Sequence, residues 1–301
     1  MNAPKFEGLI LRAVGGLYFV MTPDKVFECS ARGIFRRQCI SPCAGDKVVI
    51  ETNYYNDDHG VIIEIKERKN ALARPPLANL DQIVFVISTC EPFPNLMLLD
   101  KFIAIAEYKN IEPVIVMTKS DLLMDTLFLE NYTNAGFKVF VIDYSKKDCC
   151  DLLTTYLKGK ISALIGNSGV GKSTLLNYID DSLCLETDAI SRKLGRGKHT
   201  TRQVSLYRLY NDGYIADTPG FSTLETSKYD IIKKDDIFNC FREFSDYYDK
   251  CKFKDCSHTK EDGCVIIQAV NDGKISKTRY ESYCEMYYEA KRIKDWEAKR
   301  K

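Results

Sequence analysis

The segment GNSGVGKST, residues 166–174, constrains the fold of this chain more than any other stretch. It matches the phosphate-binding pattern G-x-x-x-x-G-K-[ST] at every fixed position. An apolar run, ISALI (161–165), precedes it, and STLLNYI (173–179) follows it with helical spacing. A glycine-rich turn between a buried strand and a helix exposes backbone N–H groups that bind phosphate oxygens, and the helix dipole adds to them. The segment therefore predicts a phosphate loop in an α/β domain, with a plain glycine turn as the alternative.

The residue types within this phosphate loop predict separate roles. Lys172 is expected to neutralise the β- and γ-phosphate oxygens of a nucleotide, and the Ser173 hydroxyl to bind Mg²⁺. The other positions expected to surround the nucleotide are Gly166, Asn167, Ser168, Gly169, Val170, Gly171 and Thr174.

A second motif, DTPG at residues 217–220, follows the apolar stretch GYIA. An aspartate at a strand end can hold Mg²⁺ through water, and a glycine N–H can contact the γ-phosphate. We therefore predict Asp217 and Gly220 as parts of the nucleotide site, although an isolated tetrapeptide of this kind is often a plain turn.

A third motif, TKSD at residues 118–121, ends the apolar run VIVM. Ligands of α/β sheets bind at the carboxyl ends of strands. Asp121 could accept hydrogen bonds from the N1–H and the exocyclic amine of guanine, a pair that adenine does not offer. Lys119 would lie over the base, and Thr118 stands where asparagine is usual, with Ser120 beside it. A chance tetrapeptide in an ATPase or kinase is the alternative.

The remaining pattern predicts three domains. Residues 1–66 contain about five short β stretches, including KVFECSARGIFRR, which suggests a small OB-type barrel or another small β domain. The prolines of ERKNALARPPLANLDQ (67–82) then interrupt the β pattern, so we interpret this stretch as a domain linker. Residues 67–224 alternate apolar runs with helical stretches and predict a doubly wound α/β domain. Residues 225–301 predict a small helical domain, with DDIFNCFREF as one of its helices.

Three cysteines and a histidine cluster within that last domain. Cys251, Cys256, His258 and Cys264 follow the spacing C-x₄-C-x-H-x₅-C. Three thiolates and one imidazole form a closed tetrahedral Zn²⁺ site of the structural type, although this spacing is not that of the common zinc finger. The other nine of the twelve cysteines are expected to be reduced, mostly core residues.

Composition excludes few function classes. The chain is 45% hydrophobic and 28% charged, with a formal net charge of +1, so binding to a polyanion must depend on local patches. Candidate patches are the basic segment 191–208, the group Arg32, Arg36 and Arg37, and the tail from Lys291. No apolar run approaches the roughly 20 residues that a membrane span needs, and no signal peptide is evident. We expect a cytoplasmic protein with no membrane partner.

The order of the three nucleotide motifs is unusual, because TKSD precedes the phosphate loop by about 45 residues. In ordinary GTPases the guanine-recognition motif follows that loop. The order TKSD, GNSGVGKST, DTPG resembles that of the circularly permuted GTPases. RPPLANLDQ, GRGKHTTR (195–202) and the Cys/His cluster make the whole chain similar to the ribosome small subunit-dependent GTPase A family, which acts in late maturation of the 30S subunit.

The resemblance implies an activity and its partners. The chain would hydrolyse GTP to GDP and phosphate with Mg²⁺, contain one structural Zn²⁺, and bind the small ribosomal subunit and its 16S rRNA, which would stimulate hydrolysis. We expect a monomer. Nucleotide state could reorient the zinc domain relative to the barrel, because DTPG lies shortly before that domain. An RNA-binding scaffold that uses GTP only as a structural ligand is the non-enzymatic alternative.

The resemblance also implies further site residues. Ser145, in the stretch YSKKD, would contact the guanine carbonyl, and Thr200 or Thr201 in the first switch would bind Mg²⁺. Phe221 occupies the position where many GTPases place a glutamine that orients water. His199 could orient water instead. It could equally be a solvated loop residue or an RNA contact, and the ribosome could supply the missing group.

Overall fold

A computed structural model of the chain describes residues 3–38, 40–52, 58–73, 75–121, 127–183, 204–217 and 232–293. The chain divides into two compact units. The first contains Met1–Ile83, Cys150–Gly166 and Lys172–Thr223, and the second contains Val84–Cys149, Asn167–Gly171 and Leu224–Lys301.

A five-stranded barrel begins the first unit. Its strands are β1 (Lys5–Val14), β2 (Leu17–Met21), β3 (Val26–Ala31), β4 (Lys47–Glu51) and β5 (His59–Ile65), with a short helix α1 (Gly33–Arg37) after β3. β1 pairs with both β2 and β4, and β3 pairs in parallel with β5, which closes the sheet on itself. Alternate residues such as Ile10, Val20 and Ile62 are fully buried inside the barrel. This arrangement confirms the OB-type barrel.

The segment GIFRR is helical, so its interpretation as the end of the β stretch KVFECSARGIFRR was wrong. α1 places Phe35 against the barrel core, where it is 7% exposed. The reason for the difference is tertiary, because burial of one aromatic side chain outweighs a weak local strand preference.

The predicted linker is instead an ordered hairpin of β6 (Ala71–Ala73) and β7 (Pro76–Ala78). Leu77 and Ala78 are fully buried, and the Ala78 N–H donates to the Ala44 carbonyl at 2.9 Å. A Cβ at Gly45 would lie 2.0 Å from the Ala78 carbonyl oxygen, so only glycine permits this approach. The linker interpretation was wrong because a proline can begin a short edge strand.

The second unit contains the strands that carry TKSD. β8 (Gln82–Ser88) starts in the first unit and continues into the second, followed by α2 (Leu96–Tyr108), β9 (Glu112–Thr118), α3 (Leu127–Asn134) and β10 (Lys138–Val141). β9 and β10 are parallel. β8 is buried at every position, and β9 at every position but the first, as the continuous apolar runs predict.

The phosphate-loop strand lies in the first unit. α4 (Asp151–Leu157) precedes β11 (Ile161–Ile165), and α5 (Lys172–Ile179), β12 (Ser205–Arg208) and β13 (Tyr214–Asp217) follow it. β13 lies parallel to β11 and antiparallel to β12. At the start of β8, the Gln82 amide donates to the Ser162 hydroxyl of β11 at 2.9 Å.

The C-terminal region, residues 232–293, belongs to the second unit. Two 3₁₀ turns, Ile237–Cys240 and Arg242–Tyr247, replace the single helix predicted over DDIFNCFREF, because Phe241 between them is extended. α6 (Val265–Asn271) and α7 (Lys277–Arg292) complete the region. Within the described ranges, no helix is both long and apolar enough to cross a bilayer.

Candidate functional site

The phosphate loop begins where β11 ends and leads into α5. All five residues of β11 are buried, which fixes the position of Gly166 after its last residue. Gly169 and Gly171 have φ angles of +82° and +92°, a conformation that residues with a side chain rarely adopt. These two glycines allow the tight backbone turn that the pattern predicts.

Lys172, the first residue of α5, crosses the base of the loop. Its Nζ donates a hydrogen bond to the Gly166 carbonyl oxygen at 2.7 Å. Phosphate oxygens are stronger acceptors for an ammonium group than a neutral carbonyl, so this lysine can exchange one for the other. Ser173 and Thr174 follow on the first turn of α5 and are both partly exposed. The Ser173 hydroxyl is an oxygen ligand of the kind that suits Mg²⁺.

Thr118, at the end of β9, contacts the phosphate loop. Its Oγ1 lies 2.5 Å from the Val170 carbonyl oxygen and 3.1 Å from the Ile87 carbonyl oxygen. A hydroxyl has one proton to donate, and the Val170 carbonyl is the closer acceptor. Thr118 is fully buried, and 52 residues of chain separate it from Val170. TKSD and the phosphate loop therefore lie side by side despite their reversed order.

Lys119 is held by the turn that follows β8, residues 88–92. Its Nζ donates to the Glu91 carbonyl oxygen at 2.9 Å, and its own carbonyl accepts from the Thr89 hydroxyl at 2.6 Å. The φ of Lys119 is +58°, which is uncommon for a residue with a side chain. The turn at residues 88–92 carries no motif, and sequence reasoning missed its contact with Lys119.

The other two residues of TKSD differ in exposure. Ser120 is 8% exposed, and its hydroxyl donates to the Ile142 carbonyl at 2.7 Å. Asp121 is exposed. The buried hydroxyls of Thr118 and Ser120 thus bond to backbone carbonyls, whereas the Asp121 carboxylate is accessible to a ligand.

Ser145 lies in the loop after β10. Its backbone N–H and its hydroxyl both donate to Asp143 Oδ1, at 3.0 and 2.6 Å. The hydrogen bond from this hydroxyl holds the pKa of the Asp143 carboxyl below its usual range. The neighbouring Tyr144 hydroxyl lies 3.9 Å from where a Cβ at Gly171 would be, so this loop also approaches the phosphate loop.

Several predicted site residues lie outside the described residues. They are His199, Thr200, Thr201, Gly220 and Phe221. Asp217 ends β13, where its backbone pairs with Ser205. The predicted basic segment and C-terminal tail also lie mostly outside the described ranges. Of the barrel arginines, Arg32 pairs with Glu51 at 2.8 Å and Arg37 is exposed.

The four predicted metal ligands come together in the C-terminal region. Their ligand atoms all lie within 4.8 Å of one another: those of Cys251, Cys256, His258 and Cys264. The Cys251 and Cys264 sulfurs are 3.8 Å apart, and His258 Nδ1 lies 3.4 Å from each. A tetrahedron with Zn–S bonds of about 2.3 Å has edges close to these separations, so the donor set and its geometry fit Zn²⁺.

The chemistry of these groups also suits a metal. Burial lowers the pKa of His258, which keeps its imidazole in the neutral form that ligates. Burial raises the pKa of the Cys256 thiol to about 12 in the metal-free protein. Metal binding there would therefore release a proton from that thiol.

Neighbouring side chains fix the loop that carries His258. The ring of Phe238 lies 5.0 Å from the His258 ring. The Tyr283 hydroxyl of α7 donates to the Ser257 carbonyl at 2.9 Å, and the Ser257 hydroxyl donates to Glu261. Supporting contacts of this kind orient metal ligands. None of them was predicted from the sequence.

A buried ion cluster joins the C-terminal region to α2 within the second unit. Arg279 of α7 donates to Asp100 of α2 at 2.7 Å and to Glu243 at 2.8 Å, and the three side chains are 1%, 1% and 8% exposed. Tyr132 and Ser282 also donate to Asp100. The one sequence signal for this cluster is an aspartate inside the apolar stretch LMLLDKFIAIA.

Family models account for most of the chain. The RsgA GTPase model matches residues 65–227, and the RsgA N-terminal domain model matches residues 7–62. A small ribosomal subunit biogenesis GTPase RsgA from Bacillus pumilus is 43% identical over 296 residues, which cover 95% of this chain and 97% of that protein. RsgA 2 from Oceanobacillus iheyensis is 42% identical over 283 residues, or 92% and 94% of the two chains.

Comparison with solved structures agrees with the family models. The crystal structure of YjeQ from Thermotoga maritima matches with a TM-score of 0.79 and 30% identity, covering 97% of this chain and 100% of that one. The crystal structure of YloQ, described as a circularly permuted GTPase, matches with a TM-score of 0.77 and 35% identity, covering 96% of each chain. The predicted fold class is confirmed, and this chain belongs to the RsgA GTPase family.

Proposed function

We propose that this chain is a GTPase that binds the small ribosomal subunit and acts in its late maturation. It hydrolyses GTP to GDP and phosphate, and the subunit stimulates that reaction. The relatives from Bacillus pumilus and Oceanobacillus iheyensis carry the name of a small ribosomal subunit biogenesis GTPase, which supports this proposal.

The observation that carries the proposal is the hydrogen bond from Thr118 to the Val170 carbonyl. It joins the motif suited to guanine recognition to the loop suited to phosphate binding. Both motifs follow the carboxyl ends of buried strands, where ligands of such sheets bind. A single nucleotide contacting both segments accounts for their proximity.

Each group in the site has a proposed role in binding. Backbone N–H groups of residues 166–174 hold the α- and β-phosphates, and Lys172 transfers its hydrogen bond from the Gly166 carbonyl to a phosphate oxygen. Asp121 accepts two hydrogen bonds from guanine, while the aliphatic part of Lys119 covers the base. The Ser145 backbone N–H or hydroxyl donates to the guanine carbonyl.

Hydrolysis needs Mg²⁺ and an oriented water molecule. Mg²⁺, when bound with GTP, would neutralise charge on the β- and γ-phosphate oxygens. Ser173 and Asp217 are the residues we propose to hold it, together with Thr200 or Thr201, and the Gly220 N–H contacts the γ-phosphate. Because the side chain of Phe221 has no hydrogen-bonding group, we propose that His199 or a group of the ribosome orients the water.

The C-terminal region holds one structural Zn²⁺ through Cys251, Cys256, His258 and Cys264. The closed set of four protein ligands leaves no position for a substrate, which is why we propose a structural ion. The ion would stabilise the segment 248–264, which contains neither a helix nor a strand.

The partners and organisation are also part of the proposal. The three domains are the barrel (1–66), the permuted GTPase domain (67–224) and the zinc domain (225–301). We propose that the protein is monomeric and cytoplasmic, has no membrane partner, and contacts 16S rRNA through the barrel and basic segments.

GTP turnover with and without purified small ribosomal subunits tests this function, with ATP as the control nucleotide. We expect slow turnover alone, strong stimulation by the subunit, and no turnover of ATP. Lys172→Ala should abolish the stimulated activity. Tight GTP binding without stimulation, together with unchanged subunit release by Lys172→Ala, would favour a scaffold that uses GTP as a structural ligand.

A further inference from the structure

Four buried hydroxyl groups lie at the carboxyl ends of β8 and β9. Ser88 and Thr118 are fully buried, Thr89 is 5% exposed and Ser120 is 8% exposed. Each hydroxyl donates to a backbone carbonyl rather than to another side chain. We call these four residues, Ser88, Thr89, Thr118 and Ser120, the hydroxyl frame.

The acceptors of the hydroxyl frame belong to different segments of the nucleotide site. Thr118 bonds to the phosphate loop at Val170 (2.5 Å), and Ser120 bonds to Ile142 (2.7 Å), three residues before Ser145. Thr89 bonds to the carbonyl of Lys119 at 2.6 Å. Ser88 closes the turn after β8 by donating to the Cys90 carbonyl at 2.6 Å, and the Pro92 carbonyl oxygen lies 2.8 Å from the same hydroxyl. Four segments are thus tied together by side chains.

The bond from Thr118 also fixes the direction of a phosphate-binding group. A trans peptide is planar, so its C=O and the following N–H point in opposite directions. Because the Val170 carbonyl is directed at Thr118, the Gly171 N–H is directed away from it. Phosphate loops bind anions through such N–H groups. Thr118 therefore orients a donor for the ligand without offering its own hydroxyl to the ligand.

Lys119 is also positioned by hydrogen bonds, one to its backbone carbonyl and one from its side chain. Thr89 fixes its carbonyl, and the Glu91 carbonyl accepts from its Nζ at 2.9 Å. Its left-handed backbone, with φ of +58°, is therefore fixed by the neighbouring turn. Ordering a loop during binding costs conformational entropy, and a site that is ordered beforehand avoids that cost.

We propose that the hydroxyl frame positions the nucleotide site for binding before the nucleotide arrives. Thr118 and Thr89 are positioning residues that act through Val170 and Lys119, and affinity depends on their hydroxyls although neither needs to touch the nucleotide. This proposal rests on the proposed function in one respect: it assumes that these segments form the nucleotide site.

The variant Thr118→Val tests the frame, because valine keeps the shape and removes the donor. The free-energy penalty of leaving a buried carbonyl without a hydrogen-bond donor is large enough to weaken binding about tenfold. We expect the dissociation constants of GDP and GTP to rise together by about that factor, and KM to rise while kcat at saturating GTP stays unchanged. The preference for guanine over adenine should not change, because Asp121 is intact. Thr118→Ser should restore affinity, and Thr89→Val should behave like Thr118→Val.

Thr22→Val is the matched control. Thr22 is also buried, at 3% exposed, and its hydroxyl donates to the Lys25 carbonyl at 2.9 Å within the barrel. We expect this variant to bind GDP as the wild type does. Wild-type affinity in Thr118→Val, or equal losses in Thr118→Val and Thr22→Val, would overturn the proposal. A wild type that binds ATP as tightly as GTP would refute guanine specificity but not the frame, which would then predict the same roughly tenfold loss of ATP affinity in Thr118→Val.

Discussion

The N-terminal barrel and the C-terminal region are stabilised in different ways. The barrel interior consists of aliphatic and aromatic side chains such as Ile10, Ile50 and Ile62, and its strands close on one another. The C-terminal region also buries apolar residues such as Phe244 and Ile266, but it adds to them a partly buried metal-ligand cluster and the fully buried charge of Arg279. Burial of apolar side chains is favourable without a metal ion or a charged partner. A buried cation needs carboxylates close to it, and a cluster of thiols is stabilised by the metal ion that it binds. The two regions should therefore respond differently to the loss of a single group.

Loss of a metal ligand should have the largest effect on stability, and that effect should be confined to the C-terminal region. In Cys264→Ser we expect bound zinc to fall from one per chain to near zero. Structural zinc binding is worth about 10–16 kcal/mol in small zinc peptides, so the C-terminal region should lose its fold. Hydrogen exchange measured by mass spectrometry should show lost protection over residues 232–293 and unchanged protection over the barrel.

Cys284→Ser is the control for that experiment, because Cys284 is not one of the four clustered ligands. It should retain one zinc per chain and normal protection. Full zinc content in Cys264→Ser would refute the metal site, and loss of protection in the barrel would refute the contrast between the two regions.

Removing the buried cation should have the next largest effect. Arg279→Met leaves the carboxylates of Asp100 and Glu243 without their cation, and breaking a buried ion pair in this way costs about 3–5 kcal/mol. We expect this loss in the free energy of unfolding of the second unit, measured with urea. Arg208→Met, which removes an exposed ion pair with Asp212, is the control and should change nothing measurable. Equal stability of the two variants would contradict the importance of the buried cluster.

A small change in the barrel core should have the smallest effect. Ile62 is fully buried, so Ile62→Val should lower the free energy of unfolding by about 0.5–1.5 kcal/mol. Exchange rates of barrel amides should reveal this change, while zinc content remains at one per chain. Ile34→Val, at a position that is 51% exposed, should have no detectable effect. A loss of zinc in Ile62→Val would show that the two regions are not energetically separate.

The sequence predicted the parts of the fold that depend on neighbouring residues. The phosphate loop between β11 and α5 was predicted because its glycines, its lysine and its flanking strand and helix are contiguous in the chain. The clustering of Cys251, Cys256, His258 and Cys264 was predicted for the same reason, since all four lie within one short segment. When the residues of a site lie close together in the chain, their spacing can be recognised as a motif in the sequence.

The features that were missed depend on contacts between distant residues. Asp100 and Arg279 are 179 residues apart, and neither has a local pattern that indicates its partner. The β6–β7 hairpin forms because Leu77 and Ala78 pack against the barrel, and its prolines suggested a break instead. The hydrogen bonds of the hydroxyl frame were missed because serines and threonines are mostly exposed in folded proteins, and nothing local in the sequence marks these four as buried.

The central claim is that TKSD, although it precedes the phosphate loop, recognises guanine in this permuted fold. The variant Asp121→Asn tests it most directly, through binding of GTP and of xanthosine triphosphate, whose base carries a carbonyl in place of the exocyclic amine. The asparagine amide can donate to that carbonyl, so we predict that GTP affinity falls at least about a hundredfold and that xanthosine triphosphate becomes the preferred ligand. Unchanged preference for GTP in Asp121→Asn would contradict the claim.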